Sequence, residues 1–509
     1  MAQQNRNDPS VIITKMTVTK LSLSLFGCIY LIAAGGTTSA QTSPPQESDY
    51  YPITPIPIPE GVVLEPSGIE IMPNQMLAVA SRRGDIYTID GAFAPDPSNA
   101  KWTLFAQGLH ESLGLAWVDG WLYATQRPEV SRLKDSDGDG AADIFECVSS
   151  DWGICGDYHE YAFGSRPDKD GNIWVVLCLT GSGGTRADYR GWCMRITPDG
   201  KMIPTASGIR SPGGIGENHL GDMFYCDNQG PWNGSSSLKH LKPGSFQGNP
   251  TGNVHYGLTD AIGPRPVEPN SGSRIVTERE RIPEFVPPAV VLPHGEMGNS
   301  PAGIACDTTG GKFGPFENQM FIAEQTASTV HRVFLEQVNG MYQGAAFPFL
   351  EGFGSGNVPI RMCPDGSLFV GGTDRGWGAR GGKPFALERV NWTGKIPFEI
   401  LEMKARPDGF ELTFTESADP ETIADPASYV LDAFTYIYQA SYGSPVVDRE
   451  TLTIERAVPG ADGKSARLFT NKLIKGHVHK LTLPGVRNAA DQPLLHPVGY
   501  YTMNEIPSK

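Results

Sequence analysis

One short unit recurs along this chain. A polar cluster precedes Gly and apolar residues, then comes a turn and a strand rich in aromatic and β-branched residues. The copies read EPSGIEI from Glu65, HESLGLAW from His110, HEYAFGS from His159, IRSPGGIG from Ile209, GNSPAGIA from Gly298 and GNVPIRM from Gly356. Several run into an Asp-Gly turn and an outgoing strand, as in DGWLYA at Asp119, DGNIWVV at Asp170 and DGSLFVG at Asp365. Gly takes positive φ at little cost, so Asp-Gly suits a tight hairpin. A third strand closes the unit, as in HRVFL at His331 and LERVNW at Leu387. Repeats of about 40–50 residues made of short strands signal radial packing. The expectation is an all-β chain, with a six-bladed β-propeller over 61–396. The 60 glycines and 42 prolines agree with many tight turns and few long helices.

Three segments fall outside that repeat. Lys15 and Lys20 precede an apolar run from Leu21 to Ala34, and Thr38 and Ala40 suit a cleavage site before Gln41. Residues 1–40 therefore read as a signal peptide, which places the mature chain in the periplasm or outside the cell. Cys28 leaves a lipoprotein reading open. The run is too short to span a bilayer comfortably, and no transmembrane segment is expected in the mature chain. Residues 41–60 are Pro-rich and polar and read as a linker. From 397 to 509 the Asp-Gly pattern stops and strands alternate with polar turns, which suggests an Ig-like β-sandwich used for packing or sugar binding. Within the propeller, 230–293 is a long Gly-, Pro- and Asn-rich insertion, either a functional loop or surface decoration.

Acidic residues exceed basic ones by 15. That balance makes nucleic acid a poor partner and says nothing about a neutral sugar. Of the eight cysteines, seven remain after cleavage, so at least one is unpaired or pairs between chains. Cys147 with Cys155 is the best disulfide candidate, and Cys178 could face Cys193 across a hairpin.

Residues 135–146 read DSDGDGAADIFE. The spacing fits a twelve-residue calcium loop: Asp135, Asp137 and Asp139 at positions 1, 3 and 5, and Gly140 at the sharp turn. The Ala141 carbonyl would serve position 7, Asp143 position 9 and Glu146 position 12. Calcium needs six or more oxygen ligands, and this spacing wraps them around one point.

In a propeller the start of each innermost strand faces the central channel. The clusters that open the repeats should therefore converge there: Glu65, His110, Glu111, His159, Glu160, Arg210, Ser211, Asn299, Ser300 and Asn357, with His294 and Glu296 just upstream. Histidines, carboxylates and an arginine in one cavity supply a general base and an anion clamp.

At these residues the chain resembles the pyrroloquinoline-quinone-dependent glucose/sorbosone dehydrogenase family. It is similar in particular to the planctomycete- and verrucomicrobia-type propeller proteins labelled membrane-bound dehydrogenases. The resemblance covers about 60–395, and the DSDGDGAAD loop, LKHLKPGSF from Leu238 and YGSP from Tyr442 carry the second likeness. It implies that His159 is the base taking the proton of a sugar hydroxyl as hydride moves to the quinone. His110 falls at a cofactor-side position. Arg210, with DNQGPW from Asp227 downstream, matches an arginine on the quinone carboxylates, and Ser211 stands where the family has asparagine. Glu111, Glu160, Ser211, Glu296, Ser300 and Arg375 are the remaining candidates for binding substrate or cofactor. The chain departs from the pattern at Thr326, where the family has lysine, and at Gly356 and Val358, where it has arginines. Arg361 is displaced by an odd number of residues, so on a strand it points the other way. Arg375, in a later loop, is the available substitute.

The function implied is a secreted, quinoprotein-like dehydrogenase of a sugar or aldehyde, with calcium and pyrroloquinoline quinone as cofactors. Two other readings stay open: a propeller lyase or hydrolase of polysaccharide fragments, and a non-catalytic glycan-binding protein.

Overall fold

The computed structural model describes residues 45–376 and 378–508. The expected signal peptide, with Cys28 and the cleavage site near Ala40, lies outside them. Six four-stranded antiparallel arrangements follow in chain order, each built as a meander. Their innermost strands are Pro66–Met72, Leu115–Val118, Ala162–Pro167, Pro212–Glu217, Pro301–Cys306 and Asn357–Met362. Each of these strands neighbours the next, and the last neighbours the first. The ring is thereby closed, and a propeller forms around a channel lined by all six strands.

The repeat's local chemistry explains this geometry. Asp119 and Gly120 both take positive φ, 49° and 81°, and join Leu115–Val118 to Trp121–Thr125 in a two-residue hairpin. Gly114 sits where blades two and three meet. A Cβ there would lie 1.6 Å from the Gly164 carbonyl oxygen, so only glycine permits the approach. The apolar residues of the second and third strands fill the space between blades, as with Leu77, Val79, Ile89 and Phe369 between blades one and six.

The segment expected to be a linker is part of the propeller. Ile53–Pro55 pairs antiparallel with Phe385–Asn391 and supplies the outermost strand of the sixth blade. Tyr51 is buried against Phe313 and Phe349 and donates its hydroxyl to the Phe313 carbonyl at 3.1 Å. A three-residue strand carries too little pattern to be read locally, and only its partner at the other end of the blade sequence defines it.

The insertion begins later than 230. Ser236–His240 is the third strand of blade four and Val290–Leu292 its fourth. The residues between them include Ser245–Phe246, which extends blade three in parallel, and a helix over Ile275–Arg281.

The C-terminal residues form two sheets. One orders Ile400–Arg406, Gly409–Phe414, Ser465–Thr470 and Ile454–Pro459. The other is continuous with blade five, because Val498–Met503 pairs with its last strand, Met341–Leu350. The core between the two sheets includes Phe334, Ala345 and Phe347 of that blade. The region is therefore welded to the propeller rather than set apart from it.

Both expected disulfides are absent. All seven cysteines among the described residues are free thiols. The hairpin register sets Cys193 opposite Val176 and leaves Cys178 beyond the pairing. No helix among the described residues is long and apolar enough to cross a membrane.

Candidate functional site

Two kinds of chain end meet at one mouth of the channel. First strands begin there, and the antiparallel second strands finish there. The cavity there is walled by His159, Ser211, Ser300 and Arg375, with Arg82, Tyr161, Asn228, Gln325 and Thr373 beside them. The first three were legible in the repeat, and Arg375 in a later loop. The others were missed, although a signal existed. Arg82, Asn228 and Gln325 each directly follow a second strand, and Thr373 ends one.

His159 lies three residues before the third blade's inner strand. Its backbone N–H donates to Asp157 Oδ1 at 2.9 Å, and Asp157 also accepts the Gly181 N–H at 2.9 Å. The imidazole stands edge-on to Tyr158 and Tyr161, at 5.1 and 6.1 Å between centroids. Burial lowers its pKa below the usual imidazole value. Asp157 opposes that shift, and the cations Arg210 and Arg127 add to it. The ring is therefore neutral at neutral pH, the form a base requires.

Glu65 and Glu111 occupy one position in blades one and two, each three residues before the packing glycine. Both are buried and both hold positive φ, 38° and 49°. Backbone strain of this kind in buried non-glycine residues gathers at functional sites. Arg83 and Arg375 pair with Glu65 at 3.0 and 2.7 Å. Arg82 pairs with Glu111 at 3.1 Å, and Arg127 pairs with the same carboxylate. Burial raises both carboxyl pKa values, but the guanidiniums outweigh it and hold them low. Four guanidiniums thus converge on two carboxylates at the mouth.

Several candidates play other parts. Arg210 donates Nε to the Ser182 carbonyl at 3.0 Å and Nη1 to the Gln229 carbonyl at 2.8 Å. It therefore braces the blade-three to blade-four edge and does not wall the cavity. Gly230 packs against it so closely that a Cβ would meet Arg210 Cζ at 2.2 Å. Glu160 points inward, accepting the Cys155 N–H and the Thr180 hydroxyl, both at 2.7 Å. His110 is exposed and borders an adjoining hollow with Glu111, Tyr158, Glu160 and Arg375. Glu296 is not at the mouth. Its turn carries it to the C-terminal sheet, where Tyr500 donates to it at 2.7 Å and Lys480 pairs with it. Asn357 is buried, donating to the Thr329 carbonyl at 3.0 Å. Arg361 faces the far end of the channel, as its register implies, and pairs with Glu70 at 2.8 Å.

At the acidic loop, Asp135, Asp137 and Asp139 bring carboxylate oxygens within 4.8 Å of one another. The other two acids are held elsewhere. Asp143 accepts the Ser136 N–H at 2.8 Å, and Glu146, inside a strand, pairs with Arg132 at 2.6 Å. Ala141 donates its N–H to Asp139 at 2.8 Å. Among the described residues the acids of this loop that lie together are Asp135, Asp137 and Asp139.

Fold and site together define an all-β propeller with a cavity at one mouth of its channel, where Arg82, Arg375 and His159 stand beside apolar residues such as Leu113, Phe163 and Val358. Over residues 95–372 the chain matches the family described as Domain of unknown function (DUF7133), and it belongs to that family. Among curated proteins, none matches the chain. Among solved structures it is similar to the iodide structure of a Trichoderma reesei carbohydrate-active enzyme of family AA12. That match has 13% identity and TM-score 0.50, over 69% of this chain and 98% of that one. It is also similar to the PQQ-bound form of aldose sugar dehydrogenase from Streptomyces coelicolor, at 18% identity and TM-score 0.47, over 69% and 100% of the two chains. A third is the holo form of the pyranose dehydrogenase PQQ domain from Coprinopsis cinerea, at 13% identity and TM-score 0.46, over 67% and 95%. The likeness is one of fold.

Proposed function

We propose that the chain is a sugar or aldehyde dehydrogenase whose chemistry takes place in the propeller-mouth cavity. The observation that carries this is His159, a neutral imidazole in a wall shared with two guanidiniums, Arg82 and Arg375. A hydroxyl lying against His159 would lose its proton to the ring as its carbon is oxidised. Asp157 fixes the His159 backbone and favours the imidazolium once it forms. Ser211 and Ser300 offer hydroxyls for orienting a polyol. Ser211 is itself held by its N–H, which donates to Asp227 Oδ1 at 2.9 Å.

The cavity's donors suit a planar polycarboxylate quinone. Arg82 and Arg375 would hold carboxylates, and the buried Asn228 Oδ1, which lacks a partner in the protein, would accept from an N–H or O–H of the ligand. Pyrroloquinoline quinone, when bound, supplies a two-electron hydride acceptor. The loop at Asp135, Asp137 and Asp139 is the proposed calcium site, with a structural role. Export to the periplasm or beyond agrees with this chemistry and rests on the leader sequence alone.

Thermal unfolding of the full chain with calcium and then the quinone, beside dye-linked sugar oxidation, tests the reading. The expected result is a quinone-dependent rise in melting temperature and oxidation that His159→Ala abolishes. The acid limb of kcat/KM should fall below the ordinary imidazole pKa, with activity rising as pH passes it. No quinone response and no oxidation would reject the reading.

One observation favours a lyase instead. Burial works to raise the Tyr158 pKa, but Tyr161, Arg82 and Arg375 lower it overall. A phenol whose ionisation is eased by neighbouring arginines suits proton abstraction next to a sugar carboxylate. Release of unsaturated products from uronate polymers, lost in Tyr158→Phe, would decide for it.

A further inference from the structure

The hairpin between Val430–Tyr436 and Val446–Leu452 does not stay within the C-terminal sheets. Its loop, 437–445, crosses onto the propeller beside the cavity. Trp232 N–H donates to the Gln439 carbonyl at 2.7 Å, Gly443 N–H to Gly230 at 3.1 Å and Ser444 N–H to Gly234 at 3.0 Å. Pro231 and Tyr442 form an isolated β-bridge. These four ties hold Tyr442 rigidly, yet its side chain remains 67% exposed. Its ring lies 5.2 Å from the Arg210 guanidinium. The residue after Arg210 is Ser211, which walls the cavity.

The ring rests against the Arg210 guanidinium and is otherwise open to solvent beside the cavity, with its backbone tied on either side. Exposed aromatic side chains are few among the described residues, and a second, Tyr158, stands edge-on to His159. An aromatic face at a polar rim matches a ligand with a flat C–H face edged by hydroxyls, which describes a pyranose. Pre-organisation by the four ties keeps the entropic cost of stacking low. Tyr442 lies outside the cavity wall that holds His159, a placement that suits a second sugar unit.

We propose that Tyr442 is a specificity-determining residue that stacks the second pyranose of a saccharide whose reacting unit sits beside His159. This rests on the reading of the cavity as a sugar site. It makes the C-terminal region part of the substrate site and makes disaccharides or longer glycans the preferred class.

Isothermal titration of the full chain with glucose, cellobiose, xylobiose and maltose tests it independently of turnover. At least one disaccharide should bind about tenfold more tightly than glucose, a difference a buried ring face can supply. Tyr442→Ala should remove the preference, and Tyr442→Phe should keep it, with both variants melting near the parent. Equal binding of glucose and all disaccharides, a preference that survives Tyr442→Ala, or binding of no sugar would each overturn the proposal. Disaccharide preference without oxidation would reject the dehydrogenase reading alone. Glucose oxidation without preference would reject this inference alone.

Discussion

Asp227 and Lys239 form an ion pair at 3.0 Å with side chains only 0% and 3% exposed. The pair ties the second and third strands of blade four together and sets one wall of the cavity. Asp227 Oδ1 accepts the Ser211 N–H, while Lys239 also donates to the Gln247 carbonyl at 3.0 Å. The DNQGPW and LKHLKPGSF stretches thus meet at one buried contact.

Removing one partner of such a pair strands the other charge without water, at a cost of about 3–5 kcal/mol. Lys239→Met should lose this much in urea unfolding, and Lys239→Met with Asp227→Asn should recover part of it. Additive losses in the double variant would show that the two residues do not depend on each other.

Closure of the ring rests on the N-terminal strand and on Tyr51, buried among Phe313, Phe316 and Phe349. Tyr51→Ala should cost about 3–5 kcal/mol, as large aromatic deletions in cores do. A chain lacking residues 45–58 should unfold at lower denaturant and open first between blades one and six. Hydrogen exchange of Phe385–Asn391 reads that opening directly.

His496 links the two ends of the described chain. Its Nδ1 lies 2.6 Å from Glu399 and its Nε2 2.8 Å from Glu47. Burial alone would lower its pKa, but the two carboxylates push it up to about 10 from 6.5. A folded value above the unfolded one stabilises fully below pH 6.5 and fades as pH rises towards about 10. His496→Gln should therefore be destabilised by a few kcal/mol at pH 6 and by much less at pH 10. Equal losses in unfolding free energy at both pH values would rule this out.

Gly230→Ala should push Arg210 aside, since the added methyl meets its guanidinium. Overpacking of this sort costs about 1–3 kcal/mol. The Tyr442 stack and any disaccharide preference should be lost with it, while Gly257→Ala, where nothing lies within 4 Å, serves as the unhindered control.

Calcium should raise the melting temperature of the parent chain by mass action. Asp137→Asn should abolish that rise. Glu146→Gln should leave it unchanged, because that carboxylate is engaged by Arg132. A calcium response sensitive to Glu146 and not to Asp137 would restore the twelve-position loop.

Much of the site was legible because it sits in the repeat. Glu65, Glu111, His159, Ser211 and Ser300 recur at equivalent points before inner strands, and position in a repeat survives without coordinates. Arg82, Asn228 and Gln325 were overlooked because the outgoing ends of second strands carry no shared motif. Glu296 was misplaced for a related reason. A turn of a few residues separates it from Ser300, and only the fold shows that the turn leaves the channel.

The sequence alone determined what depends on local order: the repeat, the Asp-Gly turns, the glycines at blade contacts and the identity of the candidate base. Those features follow from backbone sterics and periodicity over a few residues. Tertiary structure decided what depends on long-range partners. It placed Ile53–Pro55 in the last blade, joined the C-terminal sheet to blade five, balanced four arginines against two glutamates and brought Tyr442 to the rim. Such contacts join residues from tens to hundreds of positions apart, and no local pattern encodes the distance between them.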